Sequence, residues 1–358
     1  MSDSFCKIDD IMFLRFELQD LEAQKEYLAH FGMSLVRETE DAIYYRGTGS
    51  QPYSYVAHRG ASDRYIGAAF TVDSEEQLNA LAASVGAEVH DSDEPAGGRC
   101  VKCTDPDGFG VEVYCGTARN ETQVSEAPKL NAGFEKTRVN ALQRFGRGPQ
   151  EWTVKDGEWH YELTSRVMRL GHVAFNVANA NTSIEWYEKH LGVLVSDNLL
   201  DPGGLRIGAF LRADCGDLPV DHHTLNIVEK AGPEAQFAGT FGHGGFEVTE
   251  SVDDLLAGHY HLKTLGKYRH EWGLGRHLLG SQMYDYWRDP AGFTLEHWTD
   301  GDLLDASVPA NDSHPKEFVM AQYGDEIPTT FGLSMPNDQI DAYRQTAPKI
   351  TDLLKMLE

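Results

Sequence analysis

The chain has 358 residues, 41% of them apolar, and a formal net charge of −25 at pH 7. That length suits two or more domains with sizeable cores, while the acidic balance opposes binding to nucleic-acid phosphates or anionic membranes, so a small-molecule ligand is expected. No run of eighteen apolar residues occurs, the start MSDSFCKIDD lacks a basic segment followed by an apolar one, and five cysteines are too few and odd in number for a disulfide framework. A cytoplasmic protein with reduced thiols and no membrane span is expected.

In chain order, Ile11 to Leu18 reads as a strand, Leu21 to Phe31 as an amphipathic helix closed by Gly32, and Ser34 to Gly60 as further strands with turns. Tyr65 to Val72 is a second strand. Ser74 to Gly86 is a second helix, opened by the capping-box pattern Ser74-Glu75-Glu76-Gln77. Arg99 to Tyr114 forms a hairpin around Asp105-Pro106-Asp107-Gly108. Residues 117–166 are polar and irregular, with Gly146-Arg147-Gly148-Pro149 as a breaker, and read as a linker.

The pattern then returns. Leu170 to Val177 is a strand, Asn181 to Leu191 a helix closed by Gly192, and Leu205 to Val228 carries two strands. Phe241 to Val248 is a strand and Ser251 to Leu265 a helix closed by Gly266. A hairpin turns at Asp289-Pro290-Ala291-Gly292, where Pro presets φ for a type I turn and Gly takes the left-handed position after it. Counting outward from that loop pairs Arg288 with Thr294, Trp287 with Leu295 and Tyr286 with Glu296. Asp105-Pro106-Asp107-Gly108-Phe109 matches Asp289-Pro290-Ala291-Gly292-Phe293 at an offset of 184 residues, the distance from Asp105 to Asp289. Such self-similarity predicts an α+β fold of two domains, residues 1–116 and 167–300, each a pair of βαβββ modules whose mixed sheet curls round a cleft. Residues 301–358 are aperiodic apart from a short helix from about Gln339 to Leu357, and are read either as a cover over a site or as surface dressing.

The repeat allows an internal comparison. In the second half His172, His243 and Glu296 stand at strand positions where the first half has Met12 or Phe13, Gly67 and Glu112. Lys102, the counterpart of Tyr286, falls opposite Glu112 and is expected to neutralise it. A metal site is therefore expected in the second half alone. Two imidazoles and a carboxylate suit non-haem Fe(II) with open positions, and Mn(II) accepts similar donors. His223, in Asp221-His222-His223-Thr224-Leu225, and His277 are candidate proton carriers beside it, because His titrates near neutrality, and Tyr286 is a candidate hydrogen-bond donor to a metal-bound oxygen.

Gly171-His172-Val173, His222-His223-Thr224, His243 within its strand, and His277 followed by Tyr286, Pro290, Gly292-Phe293 and Glu296 together resemble the type I extradiol ring-cleavage dioxygenases of the vicinal oxygen chelate superfamily. The resemblance covers the order and spacing of the whole second half, and the first half looks like that family's metal-free repeat. It implies Fe(II), with Mn(II) as a second option, on His172, His243 and Glu296, a catecholic substrate chelating the metal, O2 as co-substrate, and a ring-opened semialdehyde-type product. It also implies His223 as acid/base, His277 and Tyr286 as partners of the substrate oxygens, and a homo-oligomer. Gly280 departs from the family, which often has a polar or acidic residue there. The alternatives are another metal-dependent enzyme of this fold, such as an isomerase, lyase or glyoxalase-like enzyme, and a non-catalytic binding protein.

Other signals are weaker. Cys100 and Cys103 are three apart on a strand and point to opposite faces. His259 and His261, two apart on a helix, do not face each other and are expected to be solvated. Gly242-His243-Gly244-Gly245 lacks the Lys-Ser/Thr of a phosphate loop.

Overall fold

The structure is a computed structural model that describes residues 6–123, 153–155, 158–160, 164–249, 252–347, 349 and 352. Its unit is the βαβββ module. The first module runs through strand Asp10–Leu18, helix Leu21–His30 and strands Ser34–Glu38, Ala42–Arg46 and Tyr55–Arg59. The second runs through Arg64–Thr71, helix Glu75–Val85, His90–Asp91, Arg99–Thr104 and Gly110–Cys115. The third comprises Val167–Val177, helix Ala180–Leu191, Leu194–Leu200, Arg206–Arg212 and Leu225–Glu229. The fourth comprises Thr240–Val248, helix Val252–Leu265, Arg269–His277, Met283–Arg288 and Thr294–Thr299. In each half the two modules meet through antiparallel pairing of their first strands. The first sheet has eight strands, and the second repeats their order, widened to ten by Asn311–Ser313 at one edge and Ala321–Tyr323 at the other.

Local chemistry sets the element ends. Asn179 accepts from Thr182 N to open its helix, and Gly192 closes it at φ +66°, a left-handed position that glycine takes without a Cβ penalty. Both predicted hairpins form as counted. Asp289 N donates to Phe293 O, Gly292 N to Asp289 O, and Tyr286 lies directly opposite Glu296.

The two sheets share one cluster of buried side chains. Phe16 of the first half lies 5.3 Å from Phe241 and 5.1 Å from Phe293 of the second, and burying one such ring contributes roughly 1.5–3 kcal/mol. Gln51 stitches the seam with polar bonds, donating to Ile11 O and Leu170 O and accepting from Leu170 N. Gly244 lets the halves close, because a Cβ there would lie 2.4 Å from Leu14 Cδ1.

Five details differ from the expectation. The Gln77 side chain accepts from Lys7 N and donates to Asp73, so only the Ser74 half of the capping box forms. The stretch read as an irregular linker contains a two-stranded antiparallel pair, Thr153–Lys155 with Glu158–His160, while its Gly146–Pro149 breaker lies outside the described residues. The strand Leu194–Leu200 was not anticipated, and the last helix is confined to Ile340–Thr346 within the described residues. His259 is buried rather than solvated, because its helix packs on the sheet and its ring bonds Asp285. Among the described residues no helix is long and apolar enough to cross a membrane.

Candidate active site

Strand register builds the site. His172 pairs with Gly245 and Gly245 with Glu296, so the three stand in one row across adjacent strands. His243, two residues before Gly245, projects from the same face. The missing side chain of Gly245 leaves the space that the His172 ring fills: a Cβ there would lie 2.1 Å from His172 Cε1. His172 Nε2 thereby comes within 2.8 Å of Glu296 Oε2, with His243 Nε2 at 3.3 Å from His172 Nε2 and 3.6 Å from Glu296 Oε2.

All three side chains are buried. Burial pushes both imidazoles down to about 3, so they are neutral lone-pair donors at physiological pH. Burial also pushes the Glu296 carboxyl up to about 7, against the opposing pull of His243, Tyr286 and Gln282. Among the described residues its ion-pair contacts are to the histidines His172, His243 and His277, and none is a fixed cation. A carboxylate lacking a cation beside two neutral imidazoles is the donor set that a divalent metal completes.

The first half shows the contrast. Phe13 pairs with Ala69 and Ala69 with Glu112, which places Phe13 where the second half has His172; Gly67, two residues before Ala69, stands in the place of His243. Glu112 takes a bidentate bond from Arg15, Nε at 2.6 Å and a terminal nitrogen at 3.1 Å, and Lys102 adds a contact at 3.2 Å. Burial raises the Glu112 carboxyl, but Arg15 outweighs it and holds the group below its ordinary range. The expected Lys102 pairing is present, yet Arg15 contributes more, and the alignment of repeats gave no sign of it.

Above the second-half trio is a narrow pocket of about 30 Å³, water-sized rather than ligand-sized. It is lined by His223, His243, His277 and Tyr286, by the amides of Asn226 and Gln282, and by Phe210, Leu279, Phe318 and Phe331. The His223 ring lies 4.3 Å from that of His172. His277 Nε2 lies 2.9 Å from Tyr286 Oη. Every residue expected at the site is thus brought together, while His222 lies behind His223, its Nε2 2.6 Å from Asp197 Oδ2. Gly280 is explained by His222, since a Cβ there, at φ +71°, would lie 2.9 Å from His222 Nδ1. One expectation changes. Burial, with the neighbouring His172, His222, His243 and His277, holds His223 well below its ordinary value, so it is a neutral acceptor rather than a group poised near neutrality. His277 is held low in the same way, and burial raises Tyr286 well above its ordinary value.

Sequence reading missed several contributors. Gln282, which donates to Glu296 Oε1 at 3.3 Å, shares strand parity with Tyr286 and was legible by that signal. Phe318 and Phe331 come from the aperiodic segment after residue 300 and carried no signal. That segment is held by the buried Arg288–Glu271 pair at 2.6 Å, with Arg288 also donating to Thr330 O and Leu333 O. A second cluster, His259, His270 and Asp285, lies where the helix Val252–Leu265 packs on the sheet. Its carboxylate accepts from both rings and from Trp287 Nε1.

Residues 169–297 match the profile of the Glyoxalase/Bleomycin resistance protein/Dioxygenase superfamily. The matched segment spans the third and fourth modules, the half of the chain that carries the His172, His243 and Glu296 trio. The chain is 26% identical over 325 residues to metapyrocatechase 2 of Cupriavidus necator, covering 88% of each chain. Among solved structures it superposes on a Mn(II)-bound glyoxalase from Novosphingobium aromaticivorans with TM-score 0.69 at 22% identity, covering 93% of this chain and 99% of that one. It also superposes on homoprotocatechuate 2,3-dioxygenase from Brevibacterium fuscum in complex with 3,4-dihydroxyphenylacetate, with TM-score 0.68 at 18% identity, covering 92% and 93%. At those identities the structural likenesses establish the fold.

Proposed function

We propose that this chain is an extradiol ring-cleaving dioxygenase that holds one Fe(II), or Mn(II), on His172, His243 and Glu296. The observation that carries the reading is the convergence of this trio beneath a narrow pocket lined by His223 and the His277–Tyr286 pair. The similarity to metapyrocatechase 2 supports it. A binding protein would have no need of three proton-handling groups around the cavity.

Bound there, the metal would supply a Lewis-acid centre with positions left for the two oxygens of a catechol and for O2. The protein supplies position, proton traffic and dryness. His223, neutral and facing the cavity, accepts a proton from the entering catechol and returns it as the ring opens. His277 and Tyr286, bonded to each other, orient the substrate oxygens. Phe210, Phe318 and Phe331 exclude water, the last two making the segment after residue 300 a cover. No lysine or arginine lines the cavity among the described residues, so an uncharged catechol is the fitting probe.

The test is metal analysis of protein purified without air, followed by a catechol assay for a yellow ring-opened product. One metal per chain and product formation are expected, with a folded but metal-poor, inactive His243→Ala variant. Full metal occupancy in that variant, or a second metal beside Glu112, overturns the assignment. Assembly follows the resemblance as a homo-oligomer in the cytoplasm, and sedimentation showing only a 39.8 kDa species rejects it.

A further inference from the structure

The structure assigns a positioning role to Asp197 and His222: together they fix His223 in the tautomer that leaves its Nε2 bare for the substrate proton. This rests on the acid/base reading of His223. His222 Nε2 lies 2.6 Å from Asp197 Oδ2, and His222 Nδ1 lies 3.2 Å from His223 Nδ1. Asp197 is buried, yet its hydrogen bonds outweigh burial and hold the carboxyl below its ordinary range, so it is an acceptor only. His222 Nε2 must therefore carry the hydrogen and donate. With that one hydrogen on the ring, the other nitrogen, Nδ1, is a lone pair. The contact at 3.2 Å requires His223 Nδ1 to donate to it, which leaves Nε2 as the only free acceptor of His223, a residue that lines the cavity.

The remaining oxygen of Asp197 is occupied too. Its Oδ1 accepts from Asn311 Nδ2 at 2.9 Å and from Ser313 Oγ at 3.0 Å, both on the added edge strand Asn311–Ser313. The segment after residue 300 thus orients the carboxylate as well as covering the site. The polarity of the whole chain of bonds follows from one charge. In Asp197→Asn the amide oxygen stays with Asn311 and Ser313, and its NH2 faces His222. That reverses each donor in turn and places a hydrogen on His223 Nε2, a tautomer unable to accept the proton.

The experiment combines kinetics with a tautomer measurement. Asp197→Asn should keep parental metal content and anaerobic catechol affinity, lose roughly 10²-fold or more in kcat with little change in KM, and add nothing to the loss in His223→Phe. His222→Phe, which keeps a ring against Phe210, should behave alike and serves if the first variant folds poorly. In Zn(II)-loaded protein, 15N shifts should report a bare His223 Nε2 in the parent and a protonated one in Asp197→Asn, with no turnover needed. A parental kcat in both variants, full additivity with His223→Phe, or a protonated Nε2 in the parent overturns the proposal. Absence of catechol turnover in the parent protein would instead overturn the dioxygenase reading, leaving the tautomer measurement to decide this one.

Discussion

Replacing Gly245 by alanine adds a single methyl group and should disable the metal centre. Gly245 lies in a regular strand, so an L side chain meets no backbone strain there, and any effect is steric. The new Cβ would lie 2.1 Å from Cε1, 2.2 Å from Nε2 and 2.6 Å from Nδ1 of His172, where ordinary contact begins at 3.4 Å. The ring must therefore retreat by at least about 1 Å, several times the tolerance of roughly 0.2 Å on metal–ligand distances. It has little room to do so, since His172 is only 1% exposed and packed between the rings of His223 and Trp298. Overpacking of this kind costs about 1–3 kcal/mol of stability, which a well-packed domain survives. Losing the ligand geometry should weaken metal binding by well over the 10–100-fold seen when only a supporting group is lost. The first half carries Ala69 at the matching position, opposite Phe13 rather than a histidine. The assay is a metal titration of chelator-stripped protein alongside urea unfolding. Metal affinity within threefold of the parent in a folded Gly245→Ala variant refutes the argument.

Two further outcomes are expected. His223→Phe should retain metal and bind catechol while turning over roughly 10²-fold or more slowly, and either loss of the metal or parental turnover would contradict its role. Asp289, buried and with no cation beside it among the described residues, is pushed up to about 7 by desolvation, against about 3.9 in the unfolded chain. Because the folded state holds this proton more tightly, its stabilising contribution is complete below about pH 4 and is lost as pH rises through 7. Between pH 5 and 8 that amounts to about 2–3 kcal/mol, so Asp289→Asn should flatten the decline measured by urea unfolding, and an unchanged slope would refute the assignment.

The amino-acid order alone determined the fourfold module, the two hairpin registers and the convergence of His172, His243 and Glu296, the proposed metal ligands. These rest on short-range rules: strand alternation, glycine at left-handed positions, and turn residues that count out their own cross-strand pairs. Tyr286 opposite Glu296, and His243 in the place of Gly67, could be read without knowing where any strand lay in space. Tertiary structure decided what no local rule reaches. Arg15 meets Glu112 across 97 residues, Asp197 meets His222 beside an edge strand drawn from an aperiodic segment, and Phe318 and Phe331 close the cavity from that same segment. Such partners are selected by the packing of distant elements and leave no periodic trace. The burial that holds His172, His243 and His223 neutral comes from every side and so belongs to the folded chain alone.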